Sequence, residues 1–275
     1  MHFSPATKLT AVVGNPIKHS LSPFIHNTIY EREGIDAVWL AFENQDIGKL
    51  IVAVRALPIH LTAVTLPHKE TVMPFLDEID ERAREIGAVN TVINSGGKLK
   101  GFNTDVVGIE RSLSGTELKN KNVLVLGAGG VAHAILYHLR EKKSKIYVHD
   151  RTLSKTESLT KKFGGTSLEK DSLNTFEYDV IINATPVGLP PNTEATPIPK
   201  DLIKKGSTVF DLVYNPPKTT LLKHAEERGA KPISGLLMFL EQALEQQRLW
   251  LDREIKDRSF LPLLEEELER MHGSH

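Results

Sequence analysis

Val123-Leu124-Val125-Leu126-Gly127-Ala128-Gly129-Gly130-Val131-Ala132 is the stretch that decides the fold. An apolar, β-branched run enters a glycine turn, and a helical pattern follows. The spacing is G-x-G-x-x-G/A, with Ala132 in the third small position. Gly127 permits the tight turn, Gly129 lets the backbone approach a pyrophosphate, and Ala132 lets helix and strand pack closely. The helix N-terminus would supply N–H donors and partial positive charge for phosphates. A bare G-x-G is usually a structural turn. Here a second strand-like run, Lys145–His149, ends at Asp150, and that setting points to a dinucleotide site.

The end of that second run selects the cofactor. An acidic residue there accepts hydrogen bonds from the adenosine ribose of NAD, whereas an Arg accommodates the extra phosphate of NADP. This chain offers both, in His149-Asp150-Arg151-Thr152, with Lys155 one turn further on. A helix cap beside a solvated Arg is the structural alternative for the pair. These residues alone leave the choice open.

Outward from this centre, strand-like and helix-like segments alternate along nearly the whole chain. After Asn122 the strands are Val123–Leu126, Lys145–His149, Asp179–Asn183 and Thr208–Val213, with helices at Val131–Lys142, Ser154–Phe163 and Thr219–Arg228. Before it, Leu9–Val13, Val38–Phe42, Leu61–Leu66 and Thr91–Asn94 read as strands, with a return strand at Lys98–Phe102 after the Gly96–Gly97 turn. Pro23–Glu33, Ile47–Leu57 and Glu70–Ile86 show helical spacing. Gly235–Trp250 and Phe260–Arg270 are helices with no strand between them, and Glu265–Glu267 reads as the wet face of the last. The class is α/β, with crossover helices joining parallel strands. The boundary between two units is expected near residues 105–110.

Composition narrows the chemistry. The 275 residues carry 34 Lys+Arg against 35 Asp+Glu, a net charge of −1. That balance argues against nucleic acid or an anionic membrane surface as the main partner. There is no cysteine, so disulfides, thiolate nucleophiles and Cys-ligated zinc are all excluded. The eleven histidines, His19, His26, His60, His68 and His133 among them, are scattered without metal-ligand spacing. His272 and His275 end a tail expected to fray. No stretch suits a signal peptide or a membrane span, so a cytoplasmic protein is expected.

Several polar residues need a reason. Ser20-Leu21-Ser22-Pro23 sets two hydroxyls just before a helix. Capping explains Ser22 as well as function does, while two converging hydroxyls would suit a polyol or a carboxylate. In Thr65-Leu66-Pro67-His68-Lys69 the lysine follows a strand end, where a solvated surface charge is the ordinary reading. Asn90 precedes a strand. Asp105 either caps a helix beginning at Val106 or lies in an interdomain cleft, a favoured ligand site. A Lys and an Asp meeting there could share a proton-transfer role.

With GNPIKHSLSP, VTLPHKE, GAVNT, GFNTD, LGAGGVA, DRT, NATPVG and GLLMFLEQA present in that order, the chain resembles the shikimate dehydrogenase family from Val13 to about Trp250. The resemblance implies reversible NADP(H)-dependent reduction of 3-dehydroshikimate to shikimate, in chorismate and aromatic amino-acid biosynthesis. NAD-dependent oxidation of quinate and shikimate is the alternative, and a non-catalytic dinucleotide-binding protein a distant one. It also implies a substrate domain over 1–106 with a mixed, mainly parallel sheet, a Rossmann-like NADP domain over 107–234, and helices over 235–275 packing on the first domain. The small-molecule substrate and a monomer or homodimer follow from the same likeness.

Roles for single residues are implied too. Ser20, Ser22 and Thr65 would hold the substrate carboxylate. Lys69 would be the acid/base, with Asn90 and Asp105 on the ring hydroxyls and Asp105 paired to Lys69. Tyr214 and Gln242 match substrate-contacting positions from the other side of the cleft. Gly127, Ala128, Gly129, Gly130 and Val131 would wrap the pyrophosphate, and Arg151 and Thr152 the adenosine phosphate. Leu212, Gly235 and Met238 fall at the nicotinamide, and Glu81 at a position that some members use near the cofactor. Three residues depart from the common pattern: Asp150 and Ala63 each stand for Asn, and Pro186 for Ser.

Overall fold

The computed structural model describes residues 4–18, 20–255, 257 and 259–273, without the side chains of 272 and 273. His19, His275 and the side chain of His272 therefore lie outside the described residues. The chain forms two compact units, Met1–Val107 with Leu240–Phe260, and Gly108–Phe239 with Leu261–His275.

The first unit contains β1 (Lys8–Gly14), α1 (Ser22–Glu33), β2 (Ala37–Glu43), α2 (Ile47–Ala56), β3 (Leu61–Val64), β4 (Glu78–Ile79), α3 (Glu81–Ile86), β5 (Thr91–Ser95) and β6 (Lys98–Phe102). Its sheet has the order β2-β1-β3-β5-β6-β4. Only β5 runs against the rest, pairing antiparallel with β3 and β6. That reversal matters for the site. The C-terminal ends of β1, β3 and β6 share one edge with the N-terminal end of β5, so residues after three strands and before a fourth converge there.

The second unit follows with α4 (Asp105–Ser112), β7 (Asn122–Leu126), α5 (Gly130–Glu141), β8 (Lys145–His149), α6 (Leu153–Phe163), β9 (Thr166–Ser167), β10 (Val180–Asn183), β11 (Thr208–Asp211), α7 (Thr220–Glu227), β12 (Lys231–Ser234), α8 (Gly235–Leu251) and α9 (Phe260–Gly273). Residues Asp105–Val107 of α4 belong to the first unit, as does α8 from Leu240. The sheet order is β12-β11-β10-β7-β8-β9, all parallel. This is the doubly wound arrangement, whose strand order reverses between β7 and β10 and opens a crevice at their C-terminal ends.

Hydrophobic patterning explains both cores. In the first unit Ala11 and Val13 of β1, Val64 of β3, and Leu50, Ile51 and Val54 of α2 pack together. In the second, Leu124, Leu126, Ile181 and Val209 of the central strands pack with Leu221, Leu222 and Ala225 of α7. Central strands buried on both faces read as continuous apolar runs.

Three features differ from the sequence reading. Glu70–Ile86 is not one helix: a 3₁₀ turn at Met73–Phe75, β4 and α3 replace it. Pro74 lacks the N–H an interior helical position needs, and Glu78–Ile79 gain ladder bonds to Lys100–Gly101. The edge strand β9 escapes detection because it has two residues, and β12 because Lys231, Pro232 and Ser234 leave it no apolar run. Finally, the segment 235–275 does not group as one piece, since 235–239 and 261–275 belong with the second unit. A motif boundary at Gly235 marks where a helix starts, whereas packing divides that helix at Leu240.

Candidate functional site

Lys69 and Asp105 meet at the convergent edge of the first sheet. Lys69 Nζ donates to Asp105 Oδ2 at 2.6 Å, and their side chains are 14% and 6% exposed. Lys69 is therefore no solvated surface charge. The other carboxylate oxygen, Oδ1, accepts from Asn90 Nδ2 at 2.9 Å. The Asn90 amide also reaches Thr104 Oγ1 at 3.0 Å and Gln242 Oε1 at 3.4 Å. Its own oxygen accepts from the Thr104 N–H at 2.7 Å and the Thr91 hydroxyl at 2.8 Å. A charge pair this deeply placed costs less when every remaining lone pair finds a donor, and here a buried amide supplies one.

Asp105 does not serve as a cap. Helix α4 already begins at Asp105, and the Val106 N–H is taken by Asn103 Oδ1 at 3.2 Å. Asn103 caps, which leaves Asp105 for Lys69. Ser22 is likewise not the N-cap of α1: that position is Leu21, with no side-chain cap bond. The Ser22 N–H instead donates to Ser20 Oγ at 3.2 Å, so Ser20 does the local work. Thr65 follows β3, and its N–H donates to Val13 O at 3.0 Å. A Cβ on Gly14 would stand 2.4 Å from the Thr65 methyl, so glycine there lets Thr65 close on β1.

In the second unit the glycine turn lies at the β7/β10 crevice. Gly127 has φ +104°, and a Cβ on it would lie 2.9 Å from Ala184 O, so both backbone angle and neighbour demand glycine. Gly129 differs: a Cβ there would meet nothing within 4 Å. The protein's own packing does not require that glycine, but a closely approaching phosphate would. No side chain caps α5, whose N-cap is Gly129, so its first-turn N–H groups suit an anion. These residues fit a dinucleotide.

Two family models match the chain, one described as shikimate dehydrogenase substrate binding domain over residues 12–92 and one as shikimate / quinate 5-dehydrogenase over 110–195. The shikimate dehydrogenase (NADP(+)) of Pyrococcus furiosus is 43% identical over 255 residues, covering 90% of this chain and 92% of that protein. The chain belongs to the shikimate dehydrogenase family. Among solved structures, the Thermus thermophilus shikimate 5-dehydrogenase in complex with NADP(H) and shikimate superposes with a TM-score of 0.85 at 34% identity, covering 96% of this chain and 99% of that one. The Listeria monocytogenes shikimate 5-dehydrogenase in complex with shikimate and NAD gives 0.83 at 31%, covering 96% and 98%.

The remaining positions implied by family likeness are distributed as follows. Gln242 belongs to the first unit, beside Asn90, and Tyr214 to the second. Tyr214 packs its ring 5.0 Å from that of Phe239, and burial pushes its phenol up to about 12. Gly235 is a close approach: a Cβ would lie 2.4 Å from Leu212 O. It therefore holds Leu212 against the start of α8, one turn before Met238. Ala128 is buried and Gly130 opens α5, followed by Val131. Arg151 and Thr152 are exposed at the β8–α6 turn, and Lys155 is exposed in the first turn of α6. Glu81 is exposed in the first turn of α3, where an acidic residue suits the helix dipole.

Asp150 has a role that sequence reasoning missed. Its Oδ2 accepts from the Ala128 N–H at 3.1 Å and its Oδ1 from the Thr152 N–H at 2.9 Å. The carboxylate thus ties the glycine turn to the β8–α6 turn and takes one N–H away from the set available to phosphate. Asp211 was missed altogether. Fully buried at the end of β11, it accepts from Asn183 Nδ2 at 2.8 Å, the Val213 N–H at 3.0 Å and Thr219 Oγ1 at 2.5 Å. Burial without a cation pushes its carboxyl up to about 6, against those three bonds. It joins the segments that follow β10 and β11 to the cap of α7. Its one sequence signal is an acid ending an apolar strand.

Among the described residues no group of three or more His, Cys, Asp or Glu could hold a metal ion, and no helix is long and apolar enough to cross a membrane.

Proposed function

We propose that this chain is an NADP-dependent shikimate dehydrogenase, interconverting 3-dehydroshikimate and shikimate, with Lys69 as the acid/base. The observation that carries the reading is the Lys69–Asp105 pair braced by Asn90. It places an ammonium proton beside a carboxylate with both side chains largely buried, as general acid catalysis requires. Bound NADPH supplies the hydride that reduces the C3 carbonyl. Lys69 Nζ holds the proton that the new C3 oxygen takes up, and it receives that proton in the oxidative direction. Asp105 aims the ammonium and accepts from a ring hydroxyl. Ser20, Ser22 and Thr65 donate hydroxyls to the substrate carboxylate, while Gln242 and Tyr214 add polar contacts to the ring. Gly127–Val131 cradle the pyrophosphate, Arg151 and Lys155 face the 2′-phosphate, and Leu212, Gly235 and Met238 shape the nicotinamide end.

One observation favours a second reading, NAD-linked oxidation of quinate or shikimate: a carboxylate, Asp150, precedes Arg151. At a few ångströms in high dielectric, its repulsion of a 2′-phosphate is about 1 kcal/mol, which Arg151 and Lys155 offset. A non-catalytic binding protein would have no use for the paired Lys69 and Asp105. Steady-state assays of shikimate and quinate with NADP⁺ and NAD⁺ decide among the three. The proposal expects the largest kcat/KM for shikimate with NADP⁺, and turnover with none of the four pairs would overturn it. A cytoplasmic monomer or homodimer accompanies this reading, and sedimentation analysis checks the state of assembly.

A further inference from the structure

The Asn90 amide works in one orientation. Its nitrogen faces Asp105 Oδ1 at 2.9 Å, and turned over it would set an oxygen against that carboxylate. The Thr91 hydroxyl helps to hold it by donating to Asn90 Oδ1. Thr91 is buried on β5, opposite Ala63 of β3. A methyl group at Ala63 offers no hydrogen bond, so besides the Thr104 hydroxyl at 3.2 Å the Thr91 hydroxyl takes its orientation from another element.

Helix α8 supplies that orientation. Gln246 Nε2 donates to Thr91 Oγ1 at 3.1 Å. The neighbouring Gln247 Nε2 lies 2.6 Å from His26 Nδ1 and 3.1 Å from Tyr30 Oη. His26, on α1, is fully buried and stacked on Trp39 with ring centroids 3.5 Å apart. Burial drives its imidazole down to about 3, so the ring is neutral in the working range. Because Nδ1 accepts from Gln247, the single ring proton sits on Nε2. His26 Nε2 and Gln246 Oε1 each lack a hydrogen-bond partner among the described residues, so the ordered chain of donors begins at the Gln246 amide.

We propose that Thr91 and Gln246 are positioning residues for the dehydrogenase chemistry. They form a one-way relay of donors: the Gln246 amide to Thr91, Thr91 to the Asn90 oxygen, and the Asn90 amide to Asp105. The relay locks Asn90 and, through it, aims the carboxylate that holds Lys69.

The relay rests on the dehydrogenase reading, and the tests separate the two. Thr91→Val removes the hydroxyl while keeping the shape, and it should lower kcat for shikimate by about tenfold, the effect of one net hydrogen bond. KM for NADP⁺ should stay unchanged, and Thr91→Ser should restore kcat to within about twofold. Wild-type kcat in Thr91→Val, or an equal loss in Thr91→Ser, would overturn the relay. Gln246→Met serves as a second variant where Thr91→Val fails to fold. The side-chain amide resonances of Asn90 in the ¹⁵N-labelled protein give a readout independent of turnover. They should move in both Thr91→Val and Gln246→Met, and unmoved resonances would overturn the relay. Wild-type protein that fails to turn over shikimate would sink the enzyme reading instead, while the Asn90 resonances still decide the relay.

Discussion

At the convergent edge of the first sheet, Lys69, Asp105 and Asn90 meet through their side chains, each with a named partner at 2.6–2.9 Å. At the crevice of the second sheet, Gly127, Gly129 and Gly130 offer backbone, and what matters is the side chains they lack. The first region recognises by donors and acceptors that can be removed one at a time. The second recognises by shape and by N–H groups that no substitution but proline deletes, so it is damaged by additions. Their aspartates differ in the same sense. Asp105 is buried against a cation, whereas Asp211 is buried against an amide, an N–H and a hydroxyl.

The largest expected effect breaks the first region. Lys69→Ala should reduce turnover of shikimate by roughly 10²–10⁴-fold, the range for a positioned proton donor, with NADP⁺ binding by fluorescence titration retained. Near-normal turnover would remove Lys69 from the chemistry.

The next prediction concerns the uncompensated charge of the second region. Asp211 has a folded pKa of about 6, above its unfolded value. The protonated form is therefore favoured in the fold, and the contribution to stability is lost as pH rises through about 4 to 6, by at most about 3 kcal/mol. An amide at Asp211→Asn keeps an acceptor for Asn183 and Val213 without the charge. The stability of this variant relative to wild type should rise across that window in urea unfolding, and a pH-independent difference would contradict the account.

Paired glycine variants sharpen the contrast between fold and ligand. Gly127→Ala places a side chain at φ +104° and 2.9 Å from Ala184 O, and it should cost about 1–3 kcal/mol of stability. Gly129→Ala meets only open space. It should leave the melting temperature nearly unchanged and raise KM for NADP⁺ by about tenfold, equivalent to about 1.4 kcal/mol of lost approach. Equal effects on both measurements would erase the distinction.

The smallest effect belongs to Asp150. Asp150→Asn should raise the NADP⁺/NAD⁺ ratio of kcat/KM severalfold, in line with about 1 kcal/mol of relieved repulsion. An unchanged ratio would leave the carboxylate only its tie between the Ala128 and Thr152 N–H groups.

Legibility of the site followed the range of the interactions. The dinucleotide turn could be read because strand, glycines and helix are consecutive, and every strand of the second sheet except the edge strands β9 and β12 carried its apolar run. Lys69 and Asp105 were visible as candidates, each beside a plausible local alternative. The segment Glu70–Ile86 was misread because helical spacing survives in a stretch whose backbone is diverted by Pro74 and by pairing with β6. Gln246 was invisible because its partner lies 155 residues away in the chain, and Asp211 offered only an acid at the end of an apolar strand, with its Asn183 partner 28 residues away.

The sequence by itself determined the α/β class, the glycine cradle and the residue types available for chemistry, since these depend on local periodicity and on neighbours a few residues apart. Tertiary structure alone decided which polar groups pair. It made Asn103 rather than Asp105 the cap of α4, it diverted Asp150 to two backbone N–H groups, and it ran α8 beside β5 so that Gln246 could reach Thr91. The physical reason is that a hydrogen bond is decided over about 3 Å in space, and a buried donor takes whichever acceptor the packing brings to it.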